Sequence, residues 1–223
     1  YYIIGDVMYK VAIFDLDGTL LDTLKDLADA CNFALRSYGF PEHQIEEYKY
    51  FLGNGAYKLI ERALPIGKKD AETIGKVLGE FKKYYEKHKS DFTKPYDGIE
   101  DLLIALKEAG IKTAVVSNKP HEFAVEIVER YFGKSFDIVF GKREGYLAKP
   151  DPTTVIETLN YFECKKEEAV YIGDSDVDMF TGKNAGIFSI GAAWGFRGAE
   201  ELSAAGADKI VYTSEELLSE IIK

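Results

Sequence analysis

Two patterns in the sequence predict an α/β fold. The predicted architecture is a doubly wound, Rossmann-like parallel sheet with an inserted all-helical domain. From residue 96 onward, short all-apolar runs alternate with helical periodicity, which is typical of parallel strands covered by helices on both faces. From residue 24 to about residue 94 the periodicity is helical only. We therefore divide the 223 residues into a discontinuous core of residues 8–22 and 96–223 and an insertion of residues 23–95.

The first core strand is predicted over Val11–Leu16, a β-branched apolar run that ends in Asp-Gly. Residues Tyr1–Val7 precede Met8, which is a more natural start, and we interpret them as a leader or cloning remnant. They lack the basic region and the long apolar stretch of a secretory signal.

The insertion is predicted to contain three helices. The first begins after Thr23, where Thr23 and Asp26 have the spacing of a capping box, and it ends at Gly39. A second helix follows the Gly53-Asn54-Gly55 break, and a longer third helix follows it. Their apolar positions at helical spacing are Ala56, Leu59, Ile60, Ala63 and Leu64, and then Ala71, Ile74, Val77, Leu78, Phe81 and Tyr85.

The remaining core is predicted as strands and helices in alternation. The predicted strands are 111–117, 136–140, 169–172, 187–192 and 209–212. The predicted helices are 99–109, 120–131, 152–161, 177–185 and 215–222.

Composition excludes several functional classes. The chain has 28 Lys and Arg against 38 Asp and Glu, a net charge of −10, which disfavours nucleic acid as a partner. Residues 23–95 carry a net charge of +2 and the rest −12. No apolar run approaches the roughly 18 residues of a membrane span. Cys31 and Cys164 lie far apart, so we expect no disulfide, no zinc site and a cytoplasmic location.

Polar residues follow four of the predicted strands at the edge where ligands bind in such sheets. The four segments are Asp15-Leu16-Asp17-Gly18-Thr19, Ser117-Asn118-Lys119-Pro120, Lys149-Pro150-Asp151-Pro152, and Gly173-Asp174-Ser175-Asp176-Val177-Asp178. Like charges crowded there would repel by about 4 kcal/mol for each pair 4 Å apart at a dielectric near 20. A cation is therefore expected, and oxygen ligands without Cys or His favour Mg²⁺.

The same edge holds groups that bind phosphate. A hydroxyl, backbone amides at a helix start and a lysine together form a receptor for phosphate oxygens. An aspartate at such a place can attack phosphorus and carry the phosphoryl group covalently.

The four segments resemble, in order, the four motifs of the haloacid-dehalogenase superfamily of phosphohydrolases. The resemblance implies that Asp15 is the nucleophile and a Mg²⁺ ligand. Asp17 would be the general acid and base, with its backbone carbonyl on the metal. Asp174 would also ligate Mg²⁺, and Asp178 would hold the water shell of the metal.

The resemblance also implies roles for the remaining motif residues. Thr19 would hold the geometry of the first loop, and Ser117 with the amide of Asn118 would bind phosphoryl oxygens. Lys149 would neutralise the nucleophile and the phosphate. The helical insertion resembles the C1 cap of the family, which closes over the site and excludes water.

Shorter strings are similar to the phosphoglycolate phosphatase subgroup. They are Phe51-Leu52-Gly53-Asn54-Gly55-Ala56, Glu61-Arg62-Ala63-Leu64 and Ser117-Asn118-Lys119-Pro120. The similarity adds Gly53, Asn54 and Lys119 as substrate-contacting residues. The expected activity is Mg²⁺-dependent hydrolysis of a small phosphorylated metabolite, 2-phosphoglycolate, through an aspartyl-phosphate, by a monomer or homodimer.

Several alternatives stay open at this point. The substrate could be pyrophosphate, a nucleotide or a sugar phosphate, or the chain could be a phosphosugar mutase. A receiver-like phosphate-sensing module also combines acidic residues with a lysine and a hydroxyl, but it lacks a helical insertion and an acid/base such as Asp17. Asp178 could instead be an acid that stabilises the start of a helix.

Overall fold

The structure, a computed structural model, describes residues 9–222. The segment interpreted as a leader or cloning remnant, and Met8, lie outside the described residues. Within residues 9–222, no helix combines the length and the apolar character that crossing a membrane requires. Cys31 is buried and Cys164 is half-buried, and each is a free thiol.

The described residues form a six-stranded parallel sheet, as the alternating pattern predicts, and a separate antiparallel pair. The strands are β1 (Val11–Phe14), β2 (Leu21–Asp22), β3 (Lys94–Pro95), β4 (Lys112–Pro120), β5 (Ile138–Lys142), β6 (Ala169–Gly173), β7 (Phe188–Ala192) and β8 (Lys209–Val211). The order in the main sheet is β5-β4-β1-β6-β7-β8, and β2 pairs with β3.

Ten α-helices accompany these strands in the described part of the chain. They are α1 (Leu24–Ser37), α2 (Ile45–Phe51), α3 (Ala56–Ala63), α4 (Ala71–His88), α5 (Ile99–Glu108), α6 (His121–Phe132), α7 (Thr153–Tyr161), α8 (Asp176–Ala185), α9 (Gly198–Ala204) and α10 (Ser214–Ile221). The sequence analysis missed α2 and α9. Each has seven residues and one buried position, Tyr48 in α2 and Leu202 in α9, too few to create a periodic apolar face.

Hydrophobic residues pack in separate clusters on the two faces of the sheet and in the insertion. Phe14 on β1 belongs to the cluster on one face and Ile13 to the cluster on the other, because successive side chains of a strand point to opposite faces. A third cluster joins helices α1 to α4 around fully buried residues such as Cys31 and Tyr48. The buried members of this third cluster all lie within residues 23–95.

The predicted capping box at the start of α1 is wrong. Thr23 occupies the N-cap position, but its side chain accepts no capping hydrogen bond, and its hydroxyl is buried with no partner among the described residues. Asp26 instead accepts hydrogen bonds from the backbone N–H groups of Phe92 and Thr93 and from the Thr93 hydroxyl. A partner about 66 positions away in sequence removes Asp26 from the local geometry that its spacing indicates.

The insertion is also not entirely helical at its borders. Leu21 on β2 pairs with Pro95 on β3, and Asp22 pairs with Lys94. The two chain crossings between core and insertion therefore lie side by side in an antiparallel ribbon. Two residues on each strand are too few for an alternating pattern that could be read from sequence.

Candidate active site

The two central strands bring the first and fourth motifs together. β1 lies between β4 and β6 in the main sheet, and the backbone N–H of Asp15 donates to the carbonyl of Ile172 on β6 at 2.8 Å. The chain passes from β1 to β4 and β5 on one side and then crosses to β6, β7 and β8 on the other. The carboxyl ends of β1 and β6 therefore flank the switch point at which doubly wound sheets bind ligands.

Three carboxylates converge at this point. One oxygen from each of Asp15, Asp174 and Asp178 can be chosen so that all lie within 4.8 Å of one another, and all three residues are buried. The cluster contains no His or Cys ligand. An all-oxygen group of this kind suits a hard divalent cation.

Asp174 is held by the first motif and by the loop after β7. Its Oδ1 accepts from the Thr19 hydroxyl at 3.1 Å, and its Oδ2 accepts from the backbone N–H of Phe196 at 2.8 Å. Gly18 has φ of +93°, and a Cβ there would lie 2.3 Å from Asp174 Oδ2. Glycine is therefore required at position 18 by both conformation and space.

Asp178 contributes to both the carboxylate cluster and the start of a helix. It lies in the first turn of α8, where its Oδ2 accepts from the backbone N–H and the hydroxyl of Ser175, at 3.1 and 2.6 Å. Its Oδ1 accepts from Lys149 Nζ at 2.8 Å. A position at the start of a helix and a place in the carboxylate cluster are therefore compatible for Asp178.

Lys149 is the cation at the centre of the cluster. Its Nζ lies 2.8 Å from Asp15 Oδ1 and 2.8 Å from Asp178 Oδ1, and it donates to the Tyr171 hydroxyl at 3.0 Å. Lys149 is thus ion-paired with two of the three clustered carboxylates. The surplus of three carboxylates over one lysine fits a bound cation.

Burial sets the protonation of these groups. Burial, reinforced by the Asp178 carboxylate, raises the pKa of Asp15 to about 7 even though Lys149 opposes the shift. Burial and the charges of Asp178 and Asp15 likewise raise the pKa of Asp174 well above its ordinary value. For Lys149 burial acts to lower the pKa, but Asp15 and Asp178 outweigh it and the pKa is raised. Cation binding would reverse the two aspartate shifts, because it favours the ionised carboxylates.

Asp17 points to a second lysine. Lys119 Nζ donates to both carboxylate oxygens of Asp17, at 2.9 and 3.1 Å, and to the hydroxyl of Tyr85 at 2.7 Å. Lys119 lies near the end of β4, in the second motif, while Tyr85 comes from α4 in the insertion. The acid/base candidate is therefore linked to both parts of the molecule.

The second motif joins the loops around it. The Asn118 amide donates to the carbonyl of Gly53 at 2.9 Å, and its oxygen accepts from the backbone N–H of Lys149 at 2.7 Å. The hydroxyl of Ser117 accepts from the backbone N–H of Lys119 at 3.2 Å. One asparagine thus connects the insertion loop, the second motif and the third motif.

Asn54 is not brought to the cleft with its neighbours. Its side-chain oxygen accepts from Arg62 Nη2 at 2.7 Å, and Arg62 Nη1 donates to the carbonyl of Phe51 at 2.9 Å. The adjacent glycines Gly53 and Gly55 do line the cleft. In this arrangement Asn54 holds the shape of the loop that presents Gly53.

A cleft of about 620 Å³, which includes solvent at its mouth, separates the insertion from the core. The core side is polar, and the insertion side is mainly apolar. Lining residues from the core are Asp15, Asp17, Ser117, Asn118, Lys119, Pro120 and Phe123. Lining residues from the insertion are Leu27, Leu52, Gly53, Gly55, Ala56, Leu59, Phe81, Lys82 and Tyr85.

Most of the chain matches a known protein family. The sequence profile of the haloacid dehalogenase-like hydrolases matches residues 12–192, most of the chain. The chain belongs to the haloacid dehalogenase-like hydrolase family. The matched residues include all four predicted motifs.

Individual relatives match this chain over most of its length. It is 34% identical over 217 residues to a phosphoglycolate phosphatase of Vibrio parahaemolyticus, covering 94% of each chain. It is 37% identical over 188 residues to a phosphoglycolate phosphatase of Aquifex aeolicus, covering 84% of this chain and 86% of that one. A crystal structure from Lactobacillus delbrueckii subsp. bulgaricus, provisionally named a phosphoglycolate phosphatase, superposes with a TM-score of 0.93 at 36% identity and covers 96% of this chain and 99% of that one.

Sequence reasoning missed two tyrosines in this hydrolase. Tyr171 lies within an all-apolar strand, and Tyr85 lies on the apolar face of a helix. These positions are typical of core residues. The available signal was the hydroxyl itself, because a fully buried tyrosine needs a hydrogen-bond partner. Here the partners are two buried lysines of the predicted motifs, Lys149 and Lys119.

Proposed function

We propose that this hydrolase is a Mg²⁺-dependent phosphatase that hydrolyses a small phosphomonoester, 2-phosphoglycolate, through an aspartyl-phosphate on Asp15. The observation that carries the proposal is the placement of Asp15 beside Lys149 and within the carboxylate cluster, in the lining of a cleft that also holds Asp17. A nucleophile, a compensating cation and an acid/base group are the minimum set for phosphoryl transfer to and from an aspartate.

The metal would be held by the side chains of Asp15, Asp174 and Asp178, with the backbone carbonyl of Asp17 as a further ligand. The three buried carboxylates face a single lysine charge from Lys149, which leaves them with an excess of negative charge. When bound, Mg²⁺ would supply positive charge that offsets the carboxylates and the phosphate oxygens.

In the first half of the reaction, a carboxylate oxygen of Asp15 attacks phosphorus. The bond between phosphorus and the ester oxygen breaks, and that oxygen takes a proton from the Asp17 carboxyl group to leave as the hydroxyl of glycolate. Ser117, the backbone N–H of Asn118 and Lys149 orient and neutralise the phosphoryl oxygens. The product on the enzyme is an acyl phosphate between Asp15 and the phosphoryl group.

In the second half, the Asp17 carboxylate accepts a proton from water as the water oxygen attacks phosphorus. The bond between phosphorus and the Asp15 oxygen breaks, which releases inorganic phosphate and returns Asp15 to its carboxylate. Asp17 ends this step protonated and ready for the next substrate. The same residue therefore serves as acid and then as base.

The cleft supports a small substrate. Its insertion side is formed mainly by Leu27, Leu52, Ala56, Leu59 and Phe81, which offer no hydrogen-bonding groups to the hydroxyls of a sugar. The names of the relatives from Vibrio parahaemolyticus and Aquifex aeolicus point to phosphoglycolate. The two free cysteines support a cytoplasmic location, and the net charge of −10 disfavours nucleic acid as a partner and supports a small metabolite.

The proposal is tested by measuring phosphate release from a panel of substrates with and without Mg²⁺. The panel contains 2-phosphoglycolate, 4-nitrophenyl phosphate, pyrophosphate, a nucleotide and a sugar phosphate. We expect Mg²⁺-dependent release with the highest kcat/KM for 2-phosphoglycolate. A higher kcat/KM for any other member would replace the proposed substrate, and release that is independent of Mg²⁺ would contradict the proposed metal.

A second measurement distinguishes hydrolysis from a mutase reaction. In water enriched in oxygen-18, hydrolysis of the aspartyl-phosphate places the heavy isotope in the released phosphate. A mutase returns the phosphoryl group to an organic acceptor, so its phosphorylated product carries no label. We expect labelled inorganic phosphate, and its absence during turnover of a sugar phosphate would contradict the assignment.

A further inference from the structure

Lys119 and Tyr85 form a buried polar pair that joins the core side and the insertion side of the cleft. Lys119 belongs to β4 of the core, and Tyr85 belongs to α4 of the insertion, and both line the cleft. Their side chains are buried, with residue exposures of 6% and 2%. Buried polar groups that face a cavity are candidates for fixing the orientation of a ligand.

The Tyr85 hydroxyl has a proton to donate. Its oxygen accepts from Lys119 Nζ at 2.7 Å, and no acceptor for its own proton occurs among residues 9–222. Burial raises the pKa of Tyr85 to about 12, so the phenol stays protonated at neutral pH. A hydroxyl polarised by an adjacent ammonium is a strong donor to an anion.

Two aromatic rings and a second lysine lie near this pair in the cleft. Phe81 and Phe123 lie against the Tyr85 ring, at 5.5 and 6.0 Å between ring centroids, and both line the cleft. Lys82 is the other lysine that lines the cleft, but its side chain is exposed. An ion pair with a carboxylate is stronger at the buried Lys119 than at the exposed Lys82.

We infer that Lys119 and Tyr85 together form the receptor for the carboxylate at the organic end of the substrate, with Lys119 supplying the charge and Tyr85 the O–H donor. The inference rests on the proposed function and names the residues that would select a phosphorylated carboxylic acid over a neutral phosphate ester. Because one residue comes from the core and the other from the insertion, this recognition requires the two parts to be in contact. Neither residue takes part in bond making, so both are specificity-determining residues.

The experiment compares kcat/KM for 2-phosphoglycolate with kcat/KM for ethyl phosphate, which has the same two-carbon length and no carboxylate. The ratio of the two values isolates recognition of the carboxylate from the chemistry at phosphorus. The variants are Tyr85→Phe, which removes one hydroxyl and keeps the ring, and Lys119→Met, which removes the charge. Tyr84→Phe is the matched control, because Tyr84 is the preceding residue on α4 and stacks on Phe33 away from the cleft.

We expect Tyr85→Phe to lower the ratio about tenfold and Lys119→Met to lower it about a hundredfold, as for loss of buried hydrogen bonds to a charged group. Tyr84→Phe should keep the wild-type ratio. Both variants are also measured for thermal unfolding, and Tyr85→Phe keeps the test decisive if Lys119→Met does not fold.

Three results would overturn the inference. The first is a wild-type ratio in Tyr85→Phe together with an equal loss of both substrates in Lys119→Met, which would mean that Lys119 only positions Asp17. The second is a loss of the ratio in Lys82→Met, which would move the receptor to the cleft mouth. The third is a wild-type enzyme that turns over ethyl phosphate as well as 2-phosphoglycolate. That result would remove the proposed substrate itself, whereas the first two leave the proposed function standing.

Discussion

The hydroxyl of Tyr171 accepts a hydrogen bond from Lys149 Nζ at 3.0 Å and donates its own proton to the carbonyl of Val116 at 3.1 Å. Tyr171 lies on β6 and Val116 on β4, the two strands that flank β1 in the sheet. The tyrosine therefore spans the strand that carries Asp15 and fixes the lysine against the framework of the sheet. Lys149 is thereby oriented between Asp15 and Asp178 by a hydroxyl that is itself hydrogen-bonded to the backbone of β4.

Replacing Tyr171 with phenylalanine should loosen this lysine without changing its charge. We expect kcat to fall about tenfold and the free energy of unfolding to fall by about 1 kcal/mol, the usual worth of a lost buried hydrogen bond. Steady-state kinetics and urea unfolding measure both quantities. Tyr161→Phe is the control, since Tyr161 is 59% exposed on α7. Unchanged kcat in Tyr171→Phe would show that Asp15 and Asp178 are enough to hold Lys149.

Gly18 should tolerate no side chain, because a Cβ at this position would lie 2.3 Å from Asp174 Oδ2. Gly18→Ala is expected to displace the Asp174 carboxylate and to abolish the rise in melting temperature that Mg²⁺ produces. The control is Gly39→Ala, where φ is also positive, at +71°, but no atom lies within 4 Å of the new Cβ. Gly39→Ala should cost about 1 kcal/mol of stability through strain alone and keep the Mg²⁺ effect. Retention of that effect by Gly18→Ala would contradict the described packing.

Asp26 joins the first helix of the insertion to the segment that returns to the core. Its buried carboxylate accepts from two backbone N–H groups and one hydroxyl, contributed by Phe92 and Thr93. An amide cannot accept all of these bonds and adds an unpaired N–H, so Asp26→Asn should lower the free energy of unfolding by about 2 kcal/mol. Asp29→Asn removes only a half-exposed ion pair with Lys25 and should lower it by less than about 1 kcal/mol. Equal losses in a denaturant titration would rule out this role for Asp26.

Stabilisation by Mg²⁺ should depend on pH. The folded-state pKa of Asp15 is raised to about 7 by burial and by Asp178, so in the metal-free protein the folded state holds this proton more tightly than the unfolded state. The metal-free protein therefore loses stability as the pH rises from about 4 to about 7 through this group. At about pH 5, Mg²⁺ must displace the proton, whereas at about pH 8 it meets a carboxylate.

We accordingly expect Mg²⁺ to raise the melting temperature more at about pH 8 than at about pH 5. The measurement is thermal unfolding at both pH values, with NaCl at matched ionic strength as the control for general screening. Removal of Mg²⁺ with a chelator should return the melting temperature to the metal-free value. A Mg²⁺ shift that is equal at the two pH values, or larger at the lower one, would contradict the burial of Asp15 as the cause.

The sheet and the positions of the motifs could be predicted from sequence because both depend on local patterns. An all-apolar run such as Val11–Phe14 predicts a buried strand, and parallel strands necessarily bring their carboxyl ends to one edge. Asp15, Asp174 and Lys149 could therefore be placed together from sequence. Their assignment to named chemical roles came from the resemblance to a family rather than from the pattern.

Features that depend on distant partners could not be predicted. Asp26 has a capping spacing, but Phe92 and Thr93 bind it from across the insertion. Tyr85 has the periodicity of a core residue, and only the packing of α4 against the second motif brings its hydroxyl to Lys119. Asn54 stands between two cleft-lining glycines, yet its side chain turns to Arg62. In each case the contact joins two residues whose proximity is not indicated by any local pattern in the sequence.

The central claim is that Asp15 carries the phosphoryl group, and trapping the phosphorylated enzyme tests it most directly. The protein is mixed with 2-phosphoglycolate and Mg²⁺, quenched in acid within the first turnover, digested and analysed by mass spectrometry. We predict one added phosphoryl group on the peptide that contains Asp15, and none in Asp15→Asn, which should also lack turnover. A phosphoryl group found on another residue, or undiminished phosphate release by Asp15→Asn, would contradict the account.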